Sequence, residues 1–314
     1  MSSFVMTDRQ EERPGSTDKP SCRVFVVIPV HNRCAHTAAC LQSLAAQTHP
    51  SVTVVVVDDG STDDTRRVIT EEYPAVVLLE GDGNLWWTGA TNRGVNWALE
   101  HCHPGDYILT LNNDTTVRPD YVSTLLALAD SAQPSIIGSV ALDSRDQETI
   151  VDGGPRVKWP TAKWWSMNQG RSLSRCLAEG TRFVEPSCLP GRGTLIPAQC
   201  IREIGPFDAG RLPHYAADYE FSFRAVRAGY SLLMSYEAPV SSDITATGIS
   251  SKQRIPWRAR CRALVSRRSA SCLVYRWRFA LLSAPRHMLP IYILTDTGRV
   301  LAGAFRDWAR GRDR

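Results

Sequence analysis

The sequence predicts an α/β fold with a mainly parallel, Rossmann-like sheet flanked by helices. Short runs rich in β-branched residues alternate with segments whose apolar residues recur at helical spacing. Several of these runs end in clusters of polar residues. Strands that alternate with helices are typical of βαβ units, in which successive strands lie parallel in one sheet.

Four strands and three helices are predicted before residue 115. The strands are RVFVVIPV (23–30), VTVVVVDDGS (52–61), AVVLLEG (75–81) and DYILTLNND (106–114). The helices are TAACLQSLAAQ (37–47), DDTRRVITEEY (63–73) and GATNRGVNWALEH (89–101). The first strand lacks alternation between apolar and polar residues, which indicates a strand buried on both faces.

Beyond residue 115 the pattern is less regular and richer in Trp, Gly and Pro. A helix is predicted in ADYEFSFRAVRAGY (217–230), with Gly229 as its C-terminal cap. We expect a disordered lead-in over residues 1–21, one domain over 22–250, and a basic helical C-terminal region over 251–314.

The charge of the chain is unevenly distributed. The net charge is +4, but residues 251–314 hold 15 Lys and Arg against three Asp, so they carry +12 and residues 1–250 carry −8. Interleaved Arg and Trp on helix-prone segments favour an anionic membrane surface as partner. A packed helix with a solvated basic face is the alternative. No recognised nucleic-acid-binding module accompanies the charge, so no nucleic-acid partner is expected.

The nine cysteines are scattered singly and form no CxxC pair. They predict neither a disulfide framework nor a zinc site, and they fit a reducing cytoplasm. The N-terminus has no apolar core of signal-peptide type, and no run approaches the roughly 18 apolar residues of a membrane span. We expect a cytoplasmic protein, with peripheral attachment at the inner membrane face as a possibility for the tail.

Three polar clusters follow predicted strands: PVHNR (29–33), VDDGST (57–62) and LNNDT (111–115). Ligands bind at the carboxyl ends of strands in an open parallel sheet. Each cluster alone could be an ordinary turn, but their succession predicts a ligand site. Carboxylate and amide oxygens suit nucleoside hydroxyls and a divalent cation, Mg²⁺ or Mn²⁺, shared with substrate phosphates. No P-loop is present, which disfavours ATP hydrolysis.

Taken in order, these clusters and several downstream motifs resemble family 2 glycosyltransferases of the GT-A fold. The similarity is greatest to bacterial members that include rhamnosyltransferases of cell-surface polysaccharide synthesis, and it covers about residues 23–250. The downstream motifs are GNLWWTGATNRG, GRGTLIP, GPFD and LPHYAADYEFSFRA. The resemblance implies inverting transfer of a sugar, rhamnose or another hexose, from a nucleoside-diphosphate sugar to a glycan or lipid-linked acceptor.

The resemblance also implies a nucleotide-binding half over residues 22–115 and an acceptor and catalytic half over 116–250. The residues expected to bind the nucleotide are Pro29, His31, Arg33, Asp58, Asp59, Asp82, Asn84 and Asn92. Of these, Asp58 and Asp59 would contact the base and ribose, Asp82 and Asn84 would lie near the base, and Asn92 or its neighbour Arg93 would lie near the diphosphate.

The triplet Asn112–Asn113–Asp114 stands where the family usually has the Asp-x-Asp metal motif. The resemblance implies that Asp114 and Asn112 are the metal ligands. Because Asn112 replaces the first Asp, the site has one fewer negative charge. This replacement supports the alternative hypothesis of a nucleotide-sugar-binding or scaffold protein with weak or no catalysis.

Asp218 matches the aspartate that acts as general base in inverting members, while Ala217 replaces the Glu that precedes it in the family pattern. A single positioned carboxylate can deprotonate an acceptor hydroxyl. The alternative is that Asp218 and Glu220 merely cap the following helix. The two residues are two apart, so on a helix only one of them can face the cleft.

Four further residues are candidates for contact with substrate: Trp87, Arg192, Gly193 and His214. A tryptophan can stack on a sugar ring, although large aromatics also fill cores. Arg192 could pair with phosphate, or be a solvated turn residue. Glycine lets the backbone approach a ligand closely. His214 could approach the acceptor or be structural.

A sugar nucleotidylyltransferase is a competing enzyme class, but PVHNRCAHT is not a triphosphate-binding loop.

Overall fold

The computed structural model of the chain describes residues 22–132, 134–243, 257–266 and 269–312. The predicted lead-in over 1–21 lies outside them. The strands are β1 (Val24–Val30), β2 (Val52–Asp58), β3 (Val77–Glu80), β4 (Tyr107–Thr110), β5 (Thr115–Val117), β6 (Ser135–Asp143), β7 (Ile150–Asp152), β8 (Pro155–Lys158), β9 (Lys163–Ser166), β10 (Phe183–Val184), β11 (Thr194–Pro197) and β12 (Ser231–Ser242).

The α-helices are α1 (Cys34–Ala45), α2 (Thr65–Glu72), α3 (Trp86–His101), α4 (Tyr121–Ser131), α5 (Leu173–Ala178), α6 (Ala198–Ile204), α7 (Ala217–Arg227), α8 (Trp257–Ala263), α9 (Leu273–Ser283) and α10 (Leu289–Arg312). A short 3₁₀ helix spans Trp159–Thr161.

The central sheet has the strand order β10-β12-β6-β11-β4-β1-β2-β3. β4, β1, β2 and β3 run parallel, as the alternating pattern predicts. β11 lies antiparallel between β4 and β6, while β6 and β12 pair in parallel. β5, β7 and β10 also pair antiparallel with their neighbours. The α/β class is therefore confirmed, and the sheet is mixed because one half contains these reversed strands and β11.

The first strand is buried on both faces because helices cover both sides of the sheet. Phe25 and Val27 pack into a core that includes Val95 of α3. Val26 and Ile28 point to the opposite face, in a core that includes residues of α1 and α4. Successive strand residues point to opposite faces, so a run without alternation is what two covered faces require.

Several predicted boundaries differ from the structure, and three of them concern the polar clusters and α7. β4 ends at Thr110, so the polar triplet 112–114 lies in a loop beyond it. α3 begins at Trp86, three residues before the predicted start, because the Trp86 N–H donates to Asp59 Oδ2 over 3.0 Å. α7 ends at Arg227, and Gly229 follows with φ +96°.

The C-terminal helices α9 and α10 pack on the sheet domain around Trp159. Its ring centroid lies 6.2 Å from that of Phe279 and 5.0 Å from that of Tyr292. Arg276 and Asp296 form a buried ion pair between the two helices. The predicted domain boundary near residue 250 falls outside the described residues and stays a prediction. None of the helices in the described ranges is long and apolar enough to cross a membrane.

Candidate active site

The turn after β1 is bonded to the loop after β2. Asn32 and Arg33 have φ of 59° and 66°, in the left-handed region, so the chain reverses sharply before α1. The Asn32 N–H donates to Ser61 Oγ over 2.7 Å, and Asn32 Oδ1 accepts from the Thr62 N–H over 2.8 Å. His31 Nδ1 lies 2.7 Å from the Asp59 carbonyl oxygen. These bonds hold two of the three polar clusters side by side.

Asp58 and Asp59 have partners inside the protein. Asp58 Oδ1 accepts from the Ser61 N–H over 3.0 Å, and its other oxygen lies 3.5 Å from Arg66 Nε. Asp59 accepts from the backbone N–H groups of Gly83 and Trp86, over 2.8 and 3.0 Å. Both carboxylates therefore organise the loops of the predicted nucleotide pocket, and their contact with a nucleoside stays a prediction.

The other predicted nucleotide-binding residues lie in three different environments: an exposed loop, a strand, and a helix bonded to a distant backbone segment. Asp82 and Asn84 are exposed in the loop before α3, where Asp82 Oδ1 accepts from the Asn84 N–H. Pro29 lies in β1 opposite Val57. The Asn92 amide donates to Phe207 O over 2.7 Å and accepts from Phe207 N over 3.0 Å. Both ends of the Asn92 amide are thus bonded to one backbone segment, and its contact with the diphosphate stays a prediction.

In the polar triplet, two amides support the loop. Asn112 Oδ1 accepts from the indole N–H of Trp87 over 3.1 Å. Asn113 Nδ2 donates to Thr37 Oγ1 over 3.0 Å and is buried. The structure therefore gives Asn112, a predicted metal ligand, an internal partner for its carbonyl oxygen.

Asp114 is the residue of the triplet that fits a cation. Its side chain is 4% exposed, and Oδ2 lies 3.4 Å from Arg33 Nη1. Oδ1 is buried without a hydrogen-bond partner among the described residues. Burial raises the pKa of Asp114, and the charges of Arg33 and Arg192 oppose this rise. A buried carboxylate oxygen without a donor is suited to a divalent cation.

Few protein groups that could ligate a metal lie around Asp114. The Asp243 N–H donates to the Asp114 carbonyl over 3.4 Å, and Asp243 Oδ2 lies 3.5 Å from His36 Nε2. Within the described ranges, no cluster of three or more His, Cys, Asp or Glu is arranged to hold a metal. A cation here would take most of its ligands from substrate phosphates and water, as Mg²⁺ and Mn²⁺ commonly do.

Arg192 is a largely buried cation between the acidic groups of the site. Its Nη2 donates to Asp152 Oδ2 over 2.9 Å, with side-chain exposures of 13% and 12%. Its Nε is buried without a hydrogen-bond partner in the described part of the chain. The charge of Arg192 lowers the pKa of both Asp114 and Asp218, so it lies within electrostatic reach of both carboxylates.

Gly193 has a packing role next to this arginine. Its φ is +77°, and a Cβ atom there would lie 2.7 Å from Tyr121 Oη. Its N–H donates to the Thr110 carbonyl over 2.8 Å. Glycine is needed here so that the loop can turn into β11 and pack against Tyr121, while the contact of Gly193 with substrate stays a prediction.

Asp218 lies in the first turn of α7. The helix begins directly after Ala216, whose φ is 65°. Its Oδ2 accepts from the Gly191 N–H over 2.8 Å, and its Oδ1 accepts from the Tyr219 N–H over 2.9 Å. Burial raises the pKa of Asp218, and these two N–H groups lower it partway. Glu220 is buried and paired with Arg224 at 3.0 Å. The two acids thus have separate partners, as their spacing predicts.

Two aromatic contacts join the start of α3 to the segment before α7. The ring centroids of Trp86 and His214 are 5.5 Å apart, and those of Trp87 and Phe207 are 5.7 Å apart. A Cβ atom at Gly191 would lie 2.2 Å from the Trp87 ring. Trp87 therefore packs between the polar triplet and the loop that holds Asp218, while its contact with a sugar stays a prediction.

Sequence reasoning did not single out Asp152 and gave no role to Asp243. The Asp-Gly-Gly sequence at 152–154 is an ordinary turn signal, and only the pairing of β7 with β6 places Asp152 beside Arg192. Asp243 follows β12, whose last residue, Ser242, pairs with Thr115, next to Asp114. No local pattern could have placed these two residues, because both positions depend on strand register.

Comparison with known proteins finds similarity to glycosyltransferases. The model of a family described as Glycosyl transferase family 2 matches residues 25–196, more than half of the chain. The N-acetylglucosaminyl-diphospho-decaprenol L-rhamnosyltransferase of Mycobacterium tuberculosis is 26% identical over 224 residues, covering 65% of this chain and 71% of that protein. Glycosyltransferase GlyA of Streptococcus pneumoniae is 31% identical over 105 residues, covering 33% of this chain.

The match spans 14% of the length of GlyA and 30% of a second relative, the glycosyltransferase YibD of Escherichia coli. Among solved structures, the mannosyltransferase PcManGT of Pyrobaculum calidifontis, in complex with GDP-Man and Mn²⁺, superposes with a TM-score of 0.57 at 16% identity. That superposition covers 93% of this chain and 75% of the mannosyltransferase. It confirms the predicted glycosyltransferase fold.

Proposed function

This chain belongs to glycosyl transferase family 2, and we propose that it transfers a sugar, with inversion, from a nucleoside-diphosphate sugar to an acceptor hydroxyl. The observation that carries the proposal is the arrangement of two carboxylates: Asp114 is buried, with Oδ1 lacking a hydrogen-bond partner among the described residues, and the half-buried Asp218 is held at both oxygens by backbone N–H groups. One carboxylate is suited to the diphosphate end of the donor, and the other to the acceptor.

Asp218 is proposed as the general base. Its two oxygens are held by backbone N–H groups of Gly191 and Tyr219, so the carboxylate is fixed before the acceptor binds. It takes the proton from the acceptor hydroxyl while that oxygen attacks the anomeric carbon. The bond from the anomeric carbon to the phosphate oxygen breaks on the opposite face, and its electron pair leaves with the nucleoside diphosphate. Such a base adds about 10²–10⁴-fold to the rate.

Asp114 is proposed to hold the divalent cation through its buried Oδ1. A bound Mg²⁺ or Mn²⁺ supplies positive charge to the diphosphate leaving group. Arg33, 3.4 Å from Asp114, and Arg192 provide the cationic side chains of this region. The Arg33 side chain is 44% exposed, so a phosphate in solvent can reach it without a change in the protein.

The nucleoside is proposed to lie over the ends of β1 and β2, near His31, Asp58 and Asp59, with the exposed Asp82 and Asn84 at its edge. The acceptor is proposed to be a glycan or a lipid-linked glycan, approaching Asp218 from the side of His214. Rhamnose is the first donor sugar to test, because the mycobacterial relative is named for rhamnosyl transfer. We place the reaction in the cytoplasm, at the inner face of the membrane.

The decisive experiment is Asp218→Asn. We expect sugar transfer to fall by about 10²–10⁴-fold, while calorimetry shows unchanged binding of the nucleoside diphosphate. Glu220→Gln is the matched control, because it changes the neighbouring acid on the same helix and should keep most of the activity. A transfer rate equal to that of the wild type in Asp218→Asn would show that the base is assigned wrongly.

The nucleotide is found first, by a thermal-shift screen of UDP, dTDP and GDP, each with and without Mn²⁺. We expect one of them to raise the unfolding temperature in the presence of Mn²⁺, because binding to the folded state stabilises it. If calorimetry detects no binding of any nucleoside diphosphate with Mn²⁺, a scaffold protein without catalysis becomes the better description.

A further inference from the structure

The outer sides of α9 and α10 carry apolar side chains that the sheet domain does not cover. We call them the α9–α10 outer surface: Val274, Trp277, Leu281, Ile291, Leu294 and Leu301, which are 46%, 41%, 64%, 46%, 74% and 47% exposed. The members on α9 are three and four residues apart, and those on α10 are three and seven apart. This spacing puts each set on one face of its helix.

The two faces point to the same side of the molecule. The inner side of α9 places Phe279 5.9 Å from Trp164, and the inner side of α10 places Tyr292 5.0 Å from Trp159, between ring centroids. The inner faces of both helices therefore pack on the aromatic side chains Trp159 and Trp164, and their opposite faces both point outward. The Trp277 indole N–H also donates to Thr297 Oγ1 of α10 over 2.9 Å, so the surface is continuous across the two helices.

The charge around this surface is of one sign. Between residues 257 and 305 the sequence has nine Arg and a single acid, Asp296. Asp296 is 2% exposed and is paired with Arg276, so it presents no charge outward. Arg262, Arg286 and Arg299 are exposed. The surface thus combines apolar side chains with uncompensated positive charge, which is the chemistry of helices that lie in an anionic lipid interface.

We propose that the α9–α10 outer surface docks on an anionic phospholipid bilayer. A second copy of the chain is a poorer occupant, because a two-fold contact would place the same arginine-rich patch on both sides and bring like charges together. The proposal agrees with the finding that none of the described helices spans a membrane, since an interfacial helix lies in the plane of the bilayer.

Docking in this way would bring the acceptor side of the site to the bilayer, an extension that depends on the proposed function. The Arg227 guanidinium of α7 donates to the Leu282 carbonyl of α9 over 3.1 Å. The Tyr219 ring, adjacent to Asp218, stacks on Trp164 with centroids 5.6 Å apart. The helix that carries the proposed base is therefore attached to the proposed lipid-binding helices.

The experiment is co-sedimentation of the full chain, without donor, with phosphatidylcholine vesicles that contain or lack phosphatidylglycerol. We expect binding to the anionic vesicles and little to the neutral ones. The paired change Leu281→Ser and Leu294→Ser should weaken binding about tenfold, because two exposed side chains that would enter the interface become polar. Leu177→Ser is the matched control, since Leu177 is also exposed, at 36%, but lies on α5.

Charge is tested separately by the paired change Arg262→Gln and Arg286→Gln, which should weaken binding to anionic vesicles several-fold. Asp218→Asn should sediment like the wild type, so a failure of the proposed chemistry is distinguishable from a failure of docking. The proposal is overturned if the wild type does not bind anionic vesicles, or if the leucine pair binds them unchanged. It is also overturned if light scattering shows a dimer that the leucine changes dissociate.

Discussion

Arg192 influences both carboxylates on which the proposed chemistry depends. Its guanidinium is held by Asp152 over 2.9 Å. Burial raises the pKa of Asp218, and the backbone N–H groups of Gly191 and Tyr219 and the charge of Arg192 limit the rise. A base must be unprotonated to act, so transfer should decline as the pH falls through this raised pKa. Arg192 thus extends the working range of Asp218 toward lower pH.

Arg192→Gln should move the acid limb of the kcat–pH profile to higher pH, because removal of the positive charge raises the pKa of Asp218 further. The measurement is the pH dependence of kcat in the wild type and the variant. Arg192→Lys keeps the charge and is the control. Arg192→Gln also leaves Asp152 without its cation and should destabilise the fold by roughly 3 kcal/mol. An unmoved acid limb would show that Arg192 does not tune Asp218.

Asn112→Asp should strengthen cation binding at Asp114. The change restores a second carboxylate next to Asp114 and keeps an oxygen that can accept from the Trp87 indole N–H, now at 3.1 Å. We expect the Mn²⁺ affinity of the nucleotide-bound protein, measured by calorimetry, to rise about tenfold.

Asp114→Asn is the opposite test and should abolish the cation dependence of nucleotide binding, because it neutralises the proposed ligand. If Asn112→Asp leaves the affinity unchanged, the cation lies away from the triplet. The outcome also decides whether the neutral Asn112 is the reason for any weak metal dependence of the wild type.

At the residue scale, the sequence places residues well when they follow directly from the end of an element. Asp114 follows β4 by four positions, so the prediction of a polar cluster after this strand needed only local patterns. Asp218 lies in the first turn of α7 and was identified by its match to the family motif. The resemblance implies that Asn92 or Arg93 lies near the diphosphate, and this stays a prediction. The two bonds of Asn92 to Phe207, 115 residues away, are a tertiary contact that no local pattern contains.

At the element scale, the close packing of Gly191 against Trp87 connects two loops of the site. The Gly191 N–H donates to Asp218, and the Trp87 indole donates to Asn112. The loop before β11 and the start of α3 therefore have to keep one mutual arrangement, or the positions of both the base and the triplet change.

Gly191→Ala should destabilise the protein by about 2 kcal/mol, because its Cβ atom would lie 2.2 Å from the Trp87 ring and force the ring to move. We also expect weaker nucleotide binding, since the Trp87 bond to Asn112 would be strained. Thermal unfolding and calorimetry measure the two effects. Gly210→Ala is the control, because a Cβ atom there meets its nearest neighbour, Asp208 Oδ1, at 3.8 Å. Equal stability of the two variants would contradict the packing argument.

Element boundaries show the same division between local and distant causes. β1 and β2 were predicted well because valine-rich runs are a local signal. The start of α3 was predicted three residues late because Asp59, 27 positions earlier, accepts from the Trp86 N–H and begins the helix there. The antiparallel β11 was not predicted, since alternation of strands and helices carries no information about a strand inserted from later in the chain.

At the scale of the whole molecule, the C-terminal helices are connected to the proposed base through aromatic side chains. The Trp164 indole N–H donates to Tyr292 Oη over 3.2 Å, and the Trp164 ring stacks on Tyr219. The basic region was expected from its composition to face a partner. In the structure the helices of this region also have a packed inner face. The packing expected by the alternative interpretation, a packed helix with a solvated basic face, is therefore present as well.

Tyr292→Ala should therefore affect both stability and catalysis. Tyr292 is 2% exposed, and its removal should cost roughly 4 kcal/mol of unfolding free energy, as for other large buried aromatics. Trp164 loses its hydrogen bond to Tyr292, so Tyr219 and the adjacent Asp218 become less fixed, and we expect kcat to fall about tenfold with the donor KM unchanged. Tyr292→Phe keeps the ring and should cost about 1 kcal/mol, with a smaller effect on kcat.

Chemical denaturation measures the unfolding free energy of the wild type and the two variants, and steady-state kinetics measures their kcat and KM. A large loss of stability in Tyr292→Ala with wild-type kcat would show that the C-terminal helices stabilise the fold without positioning the base.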